Sequence, residues 1–413
     1  MKEVILRNVA NPLQLETLYR ADKSAFKRAF NDLYPDLKDN QLANFWNTRL
    51  NFSKEEISWG TGKGLAYIIL LSLLAGVFAK FPSIFNINEE FFYSRNIGFL
   101  IFPMLTAYFA WKNKLSIPKI IFVAVATVVG LIFINSLPDK KNSDTIILSC
   151  IHLIVILWSV LGFAFAEGSE NNVEKRLAYL KYNGDLVVMT TLIVIAAGLL
   201  SAITNGLFSL IGINIEKFYF QYIVLFGFPA APIFGTWLTQ NNPQLVGKVS
   251  PVIAKIFSPL VLVMLIVYLI AIVYAGKDPY NNREFLLIFN ALLIGVMAII
   301  FFSVAESQNT TKNPAEIWIL LLLSIVTIIV NGVALSAIVF RISQFGMTPN
   351  RAAVLGGNVL ILINLLLVTA QLFKVLTKRS EISAVGRVIS SYLPIYFFWA
   401  IIVTFLFPFI FGY

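Results

Sequence analysis

Long apolar runs recur along the chain from about residue 64 onward, and short segments between them hold most of the remaining charged side chains. A helix that spans a bilayer needs about 20 consecutive apolar residues. The pattern therefore predicts an all-α, polytopic transmembrane helix bundle of about eleven spans. The weakest span is 96–111, and its loss would reverse the orientation of every later span. The predicted spans are 64–81, 96–111, 117–136, 145–166, 186–211, 218–239, 253–275, 284–305, 315–341, 352–373 and 389–411.

The first sixty residues have a different pattern, in which apolar positions recur at helical spacing between charged ones. An Asn-Pro pair at 11–12 is typical of a helix start, and the Tyr-Pro-Asp segment at 34–36 predicts a break. A second helix is predicted over 40–50, so the two would form a helical hairpin with one apolar face. The sequence thus predicts a small cytoplasmic hairpin domain at 1–60 and a transmembrane domain at 61–413.

Composition and charge support this division. The chain is 58% hydrophobic and only 13% charged, whereas soluble domains carry about a quarter charged residues. The net charge of +10 does not indicate nucleic-acid binding, because the basic residues form no continuous stripe. With the N-terminus inside, twenty-three of the 32 Lys and Arg residues fall on the inner side and nine on the outer side. The positive-inside rule therefore predicts a cytoplasmic N-terminus and an extracytoplasmic C-terminus.

Residues that carry common enzyme chemistry are scarce. The single cysteine, Cys150, and the single histidine, His152, argue against a disulfide, a metal cluster or a histidine-based relay. No phosphate-binding loop or hydrolase motif is present. We therefore expect no cofactor, no metal and no catalytic residue. A lipid-modifying membrane enzyme is the third-ranked function, and its acid or base would have to come from Glu89, Glu90, Glu167, Glu170 or Glu306.

A short pattern, Asn-Arg followed seven residues later by Asn, occurs twice in the last third of the chain. It places Arg283 before Asn290 and Arg351 before Asn358. Seven residues are close to two helical turns, so each Asn lies on nearly the same face as its Arg and about 10 Å deeper. The arginines could form a cationic mouth that binds carboxylate or phosphate groups. Alternatively, the arginines contact lipid phosphates and the asparagines join neighbouring helices.

Two further features contribute to a possible binding site. Arg341 lies where a helix is expected to leave the membrane, and Asn331 adds a polar group to the same helix. Pro229 and Pro232 lie within the span 218–239 and are predicted to kink or interrupt it. The two interpretations are a kink that serves only helix packing and a discontinuous helix of the kind that lines binding sites in transporters. The predicted substrate-binding residues are Arg283, Asn290, Asn331, Arg341, Arg351 and Asn358.

The segment 341–351 (RISQFGMTPNR) resembles the Arg-Ile, aromatic-Gly, Leu/Met-Thr and Asn-Arg signature of a bacterial multi-pass membrane family. That family is catalogued as a domain of unknown function, number four-one-five-three. The resemblance covers residues 60–413, and the N-terminal hairpin is an addition to it. It implies a bacterial inner-membrane location and no particular activity.

The leading hypothesis from the sequence is a transporter-like protein or permease for a small solute, with an anion as one candidate. The alternative is a non-catalytic scaffold or regulatory protein that recruits a protein partner through its N-terminal hairpin. Both hypotheses have the lipid bilayer as a partner and exclude nucleic acid, and both leave the oligomeric state open.

Overall fold

The structure of the chain is a computed structural model. Its described residues are 1–51, 61–140, 143–168, 172–210, 214–246, 258–263, 265–267, 269–270, 283–306 and 314–413. Only the backbone is described at residues 23–24, 51, 203, 206–210, 245–246 and 283–289. All regular elements in the described ranges are helical. The chain divides into two compact units, Met1–Ser58 and Trp59–Tyr413.

Residues 1–51, the described part of the N-terminal unit, form four short α-helices. The side chain of Asn11 accepts a hydrogen bond from the backbone nitrogen of Gln14, so the predicted helix start at 11–12 is confirmed. A helix break that the sequence did not predict occurs at Asp22, whose side chain caps the next helix by accepting from the Ala25 nitrogen. The helices are α1 (Lys2–Arg7), α2 (Pro12–Ala21), α3 (Lys23–Leu33) and α4 (Gln41–Asn51), with a 3-10 turn at Tyr34–Asp36.

The core of this unit is aromatic. Trp46 of α4 lies between Tyr19 of α2 and Phe26 of α3, with ring centroids 5.6 and 5.2 Å apart. A predicted two-helix hairpin with one apolar face is therefore not confirmed, because the four helices surround a common core. Its buried apolar residues are Ile5, Leu15, Phe26, Ala29, Phe30, Ala43, Trp46 and Leu50.

Glu16 of α2 joins two helices of this unit through ion pairs. Its Oε1 atom accepts from Arg20 Nε at 2.8 Å, and its Oε2 atom lies 2.8 Å from Arg49 Nη1 of α4. The guanidinium of Arg49 also lies over the Trp46 ring, 4.6 Å from its centroid. The hydrogen bond from Arg20, with further contributions from Arg49, holds the pKa of the Glu16 carboxyl below its usual value although burial opposes the shift.

We expect the stability of the N-terminal unit to depend on the ionisation of Glu16. Because its pKa is lower in the folded state, the carboxylate stabilises the fold above the unfolded-state pKa and loses this effect as pH falls through the folded-state pKa. Hydrogen exchange of α2 and α4 in the full chain, corrected for intrinsic rates, should show Glu16→Gln less protected than wild type at neutral pH. The difference should shrink as pH falls below the ordinary pKa of a glutamate carboxyl and towards the lower pKa of the folded state. A difference that does not change with pH would contradict this assignment.

The second unit consists of long apolar helices. A helix satisfies its own backbone polar groups, which is what permits an apolar segment to cross a bilayer. Eight of the described helices are long and apolar enough to cross a membrane: α5, α9, α10, residues Val173–Ala202 of α11, α12, α15, α16 and α17. The labelled helices in the described part of this unit are α5 (Gly62–Ala79), α6 (Phe81–Phe85), α7 (Glu89–Asn96), α8 (Phe102–Lys112), α9 (Ile117–Ser136), α10 (Asp144–Phe165), α11 (Val173–Leu210), α12 (Glu216–Asn241), α13 (Pro243–Val246), α14 (Arg283–Glu306), α15 (Pro314–Phe345), α16 (Pro349–Leu376) and α17 (Ile382–Phe411). Residues 258–263, 265–267 and 269–270 are also helical.

The count of about eleven spans is not confirmed by these eight helices. The predicted span 96–111 is not one helix, because a 3-10 turn at Ile97–Leu100 precedes α8 and Pro103 lies in the first turn of α8. The predicted span 284–305 falls within α14, and the described apolar part of that helix is the shorter segment Asn290–Glu306. About half of the predicted span 253–275 lies outside the described residues, and its described part is helical.

Two interruptions expected from the sequence are absent from the described helices. Pro229 and Pro232 do not interrupt their span, because α12 is helical throughout and contains one π-helical turn at Tyr219–Val224. The alternative, a kink at these prolines, stays a prediction. The charged segment before the fifth predicted span was expected to be a loop as far as Asp185, but α11 already begins at Val173.

The helix ends of this unit meet at two opposite faces. At one, Lys181 near the start of α11 pairs with Glu306 at the end of α14, at a distance of 3.1 Å. We call this face the Lys181 end. At the other, the backbone oxygen of Gly412 accepts a hydrogen bond from Thr145 Oγ1 at the start of α10, at 2.9 Å. We call this face the Tyr413 end.

Prolines in α17 leave carbonyl groups that neighbouring helices use. A proline removes the donor for the carbonyl four residues before it, so Pro394 affects Ser390 and Pro408 affects Thr404. The Thr404 oxygen accepts a hydrogen bond from Ser149 Oγ of α10 at 2.9 Å. The Ser390 oxygen accepts from Arg176 Nη1 of α11 at 3.4 Å. These bonds fix α17 against both helices.

Arg95 of α7 is buried at the Tyr413 end and closes the last turn of α9. Its Nη1 atom donates to the backbone oxygens of Ile134 and Leu137 at 2.7 and 2.8 Å, and its Nη2 atom donates to Pro138 at 2.9 Å. The last carbonyls of a helix have no partner within it. Arg95 therefore supplies donors that α9 itself lacks.

Glycines allow aromatic rings to lie directly on a neighbouring helix backbone. A Cβ atom at Gly356 of α16 would lie 2.2 Å from the ring of Trp399 of α17. At Gly184 of α11 it would lie 2.0 Å from the Phe302 ring of α14. Small residues at helix contacts permit this close approach in membrane proteins.

Candidate functional site

Three of the predicted site residues meet between α14, α15 and α16. Asn358 Nδ2 donates a hydrogen bond to Asn290 Oδ1 at 2.8 Å. Asn331 Nδ2 donates to the backbone oxygen of Asn358 at 3.1 Å. Asn331 and Asn358 are buried, and Asn290 is half-buried. We call these three residues the asparagine seam.

The asparagine seam lies in an otherwise apolar core. Buried apolar residues on the same helices, such as Val330 of α15 and Leu365 of α16, belong to the cluster that packs α14, α15 and α16 together. Among the residues that the structure describes, no donor reaches the buried Oδ1 atom of Asn331. An unpaired buried acceptor costs about 1–3 kcal/mol, so the seam is an expensive feature of this core.

Further polar contacts continue from the seam along α16 towards the Lys181 end. Six residues after Asn358, Asn364 Nδ2 donates to the hydroxyl of Tyr396 of α17 at 3.0 Å. Eleven residues after Asn358, Thr369 Oγ1 donates to Ser324 Oγ of α15 at 3.0 Å. The three levels of polar contacts along α16, at Asn358, Asn364 and Thr369, extend over about 16 Å of helix. We call the set the polar file: Asn290, Asn331, Asn358, Asn364, Tyr396, Thr369 and Ser324.

The helical repeat explains which helix each level contacts. Residues eleven apart complete about three turns, so Asn358 and Thr369 lie on one face of α16. Both contact α15, through residues 331 and 324, which are themselves two turns apart. Asn364 lies on a different face and reaches α17 instead.

Arg351 takes part in the turn between α15 and α16 rather than in the asparagine seam. Its Nη1 atom donates to the backbone oxygens of Phe345 and Gly346, at 3.0 and 2.6 Å. Gly346 has a φ of +76°, a left-handed conformation that favours glycine after a helix. Thr348 Oγ1 accepts from the Arg351 nitrogen at 3.3 Å and so caps α16, with Pro349 in the first turn. The segment 341–351 therefore encodes a helix-to-helix connection.

The other two predicted arginines do not join the seam in the described contacts. Arg341 is half-buried in the last turns of α15, which continues to Phe345 instead of ending near residue 341. Arg283 is the first residue of α14, and its side chain lies outside the described part of the structure.

An ion pair that the sequence did not predict lies at the Lys181 end. From the sequence, Glu306 was only a candidate acid or base of a membrane enzyme, and Lys181 was not singled out. The side chain of Glu306 is 5% exposed, and its Oε2 atom accepts from Lys181 Nζ at 3.1 Å. The two residues are 125 positions apart, so no local pattern could have paired them.

Comparison with family models, with curated proteins and with solved structures finds no match. What the polar file can do must therefore be derived from its own chemistry. Amide and hydroxyl groups donate and accept hydrogen bonds without changing charge. Within the described ranges, no group of three or more His, Cys, Asp or Glu side chains could hold a metal ion.

Proposed function

We propose that this membrane protein is a transporter or permease for a small polar solute, with an anion as one candidate. The observation that carries the proposal is the polar file along α16, which crosses an apolar core between four helices. Polar side chains within a membrane are expensive and mark substrate pathways more often than elsewhere. Amide and hydroxyl groups would replace the water that a polar solute loses when it enters the membrane.

The seam is closed in this structure, because its members bond to one another. Passage of a solute would require Asn290 and Asn358 to separate and to exchange their mutual hydrogen bond for bonds to the solute. Exchange of one hydrogen bond for another costs little net free energy, whereas an unpaired amide is costly. The residues of the polar file would thus offer the solute a series of hydrogen-bond partners, each of which exchanges a bond within the protein for a bond to the solute.

We propose further that the chain crosses the membrane eleven times, with the Lys181 end cytoplasmic. The distribution of Lys and Arg supports this orientation. The first long helix, α5, begins near Trp237, whereas the last, α17, finishes beside Thr145, so the two termini of this unit lie at opposite ends. A bacterial inner-membrane location and membership of the family that segment 341–351 resembles are part of the same proposal.

Cysteine accessibility tests transport without knowledge of the substrate. In a Cys150→Ser background, which leaves no other cysteine, Asn290→Cys and Asn358→Cys are introduced separately. A membrane-impermeant methanethiosulfonate cation is then applied to sealed vesicles of each orientation. We expect both cysteines to react from at least one side, because a pathway must open to water during the transport cycle.

Leu365→Cys is the matched control for this experiment. Leu365 lies on α16 two turns from Asn358 and is equally buried, but it belongs to the apolar cluster. We expect it to remain unreactive from both sides. If the cysteines at 290 and 358 react no faster than the one at 365, the seam is a structural contact and the transport proposal fails.

A scaffold that recruits a protein partner is the second candidate function. It is favoured by Leu13 and Phe45 of the N-terminal unit, whose side chains are 78% and 59% exposed. For this candidate the seam never opens, so the cysteine at the buried position 358 should be as unreactive as the one at 365.

A further inference from the structure

A long groove with mainly apolar walls lies between the second half of α11 and the first half of α12. Its volume is about 1050 Å³, near the upper limit of small-molecule sites. Gly198 of α11 and Gly227 of α12 keep the space open, because a Cβ atom at either position would meet nothing within 4 Å. The wall residues Leu200 and Phe228 are 63% and 58% exposed, although both helices are long and apolar enough to cross a membrane. The groove therefore faces the position of the lipid.

The groove is about as long as one leaflet of a bilayer is thick. Its lining on α11 runs from Ile193 to Asn205, which corresponds to about 18 Å of helix. A bilayer with its headgroups is about 40 Å thick, and one leaflet accounts for half of that. Because α11 begins near the Lys181 end, Asn205 lies towards the Tyr413 end. The groove therefore extends from the middle of the membrane unit towards the Tyr413 end.

The polar groups of the groove lie at the Tyr413 end, and they are suited to a cationic ligand. Among the described residues that line the groove, Glu216 is the one charged side chain. It is acidic and exposed, although the chain carries a net charge of +10. The Oδ1 atom of Asn205 is buried, and no donor within the described residues reaches it. This end of the groove thus complements a positive group that carries several N–H donors.

A hydrogen bond and a π-helical turn fix the polar end of the groove. The Tyr219 hydroxyl donates to Ser201 Oγ at 3.1 Å and so ties α12 to α11. Four residues of the π-helical turn Tyr219–Val224 line the groove, and such turns are frequent at functional sites. Asn214 Oδ1 accepts from the Glu216 nitrogen at 3.0 Å. The Nδ2 group of Asn214 is then the part of that side chain that can donate to a ligand.

We propose that this groove binds a phospholipid whose headgroup carries a primary ammonium group, taken from the leaflet at the Tyr413 end. One acyl chain would lie along the apolar wall beside Gly198 and Gly227. The ammonium would pair with the Glu216 carboxylate and supply the donor that Asn205 Oδ1 lacks, and Asn214 would donate to the phosphate. Hydrogen bonds between charged groups are stronger than neutral ones. None of these residues belongs to the polar file, so either proposal can fail alone.

Binding is tested on the purified full chain in detergent, by native mass spectrometry with phosphatidylethanolamine and phosphatidylcholine of identical acyl chains. Both headgroups are zwitterionic, but the methylated ammonium of phosphatidylcholine has no N–H donor. We expect wild type to prefer phosphatidylethanolamine, and Glu216→Gln to reduce that preference about fivefold, the upper range for one exposed ion pair. Glu89→Gln is the matched control, since Glu89 is also an exposed carboxylate in the first turn of a helix and does not line the groove. It should bind as wild type does.

A second variant, Gly198→Phe, fills the groove and leaves Glu216 unchanged. We expect it to lose the phosphatidylethanolamine that wild type retains. The preference is a ratio within one variant, so a change in stability does not create it. The proposal is overturned if wild type binds both lipids equally, if Glu216→Gln keeps the wild-type preference, or if Gly198→Phe binds as much phosphatidylethanolamine as wild type. It is also overturned if Gly198→Phe converts a dimer into a monomer while the bound lipid is unchanged, since a second copy of the chain would then fill the groove.

Discussion

Replacement of Arg95 by methionine is expected to lower the free energy of unfolding by about 3 kcal/mol or more. Hydrogen bonds from a charged donor contribute about 1.5–3 kcal/mol each, and loss of a partner leaves a buried acceptor unpaired. Arg95 is 6% exposed and serves three carbonyls at the end of α9. Methionine retains much of the apolar stem but provides no donor. Reversible unfolding of the full chain in mixed micelles measures the change.

Arg351→Met is the matched comparison. Arg351 also donates to two backbone oxygens after a helix, but these bonds are exposed. Water can take the place of the guanidinium there, so we expect a loss below about 1 kcal/mol, as is usual for exposed hydrogen bonds and ion pairs. Equal losses for the two variants would show that burial is not what makes Arg95 important.

Gly356→Ala is expected to destabilise the fold by about 1–3 kcal/mol, the usual cost of overpacking a close contact. The new Cβ atom would overlap two ring carbons of Trp399 at 2.2 Å. The indole also packs edge-on against the Phe407 ring, with centroids 6.2 Å apart, which restricts its movement. A lower melting temperature in detergent is the expected measurement.

Gly332→Ala separates this steric effect from helix propensity. Gly332 lies within α15, and a Cβ atom there meets nothing within 4 Å. Alanine is favoured over glycine inside a helix by about 1 kcal/mol, so this variant should be as stable as wild type or more stable. If both alanine variants change the melting temperature alike, the Trp399 contact does not explain the effect at 356.

The apolar runs were sufficient to predict a helical membrane protein, because a membrane helix is defined by its own composition. Local capping signals were equally informative, as at Asn11 and at Tyr34–Asp36. The break at Asp22 was missed because the apolar spacing on its two sides is continuous. The division of the predicted span 96–111 was missed because Pro103 is surrounded by apolar residues.

For the candidate site, periodicity predicted that Asn290 and Asn358 would lie at similar depths, and the structure brings them into contact. The sequence could not predict whether they would line an open site or bond to each other. From the sequence, Arg283 and Arg351 were both expected to form a cationic mouth. In the structure, Arg351 instead donates hydrogen bonds to the turn that precedes its own helix. The hydrogen bond from Arg176 to the backbone oxygen of Ser390 joins residues 214 positions apart, so no local sequence pattern could have predicted it.

The proline-dependent bonds of α17 determine which parts of the membrane unit can move. Since Ser149 and Arg176 hold carbonyls on α17, that helix cannot turn about its axis without breaking ties to both α10 and α11. The α15–α16 hairpin has a compact connection of its own, closed by Arg351. A rearrangement that separates the asparagines would therefore move the α15–α16 hairpin as a rigid body relative to α10, α11 and α17. The contact between Asn364 of α16 and Tyr396 of α17 lies between the two parts.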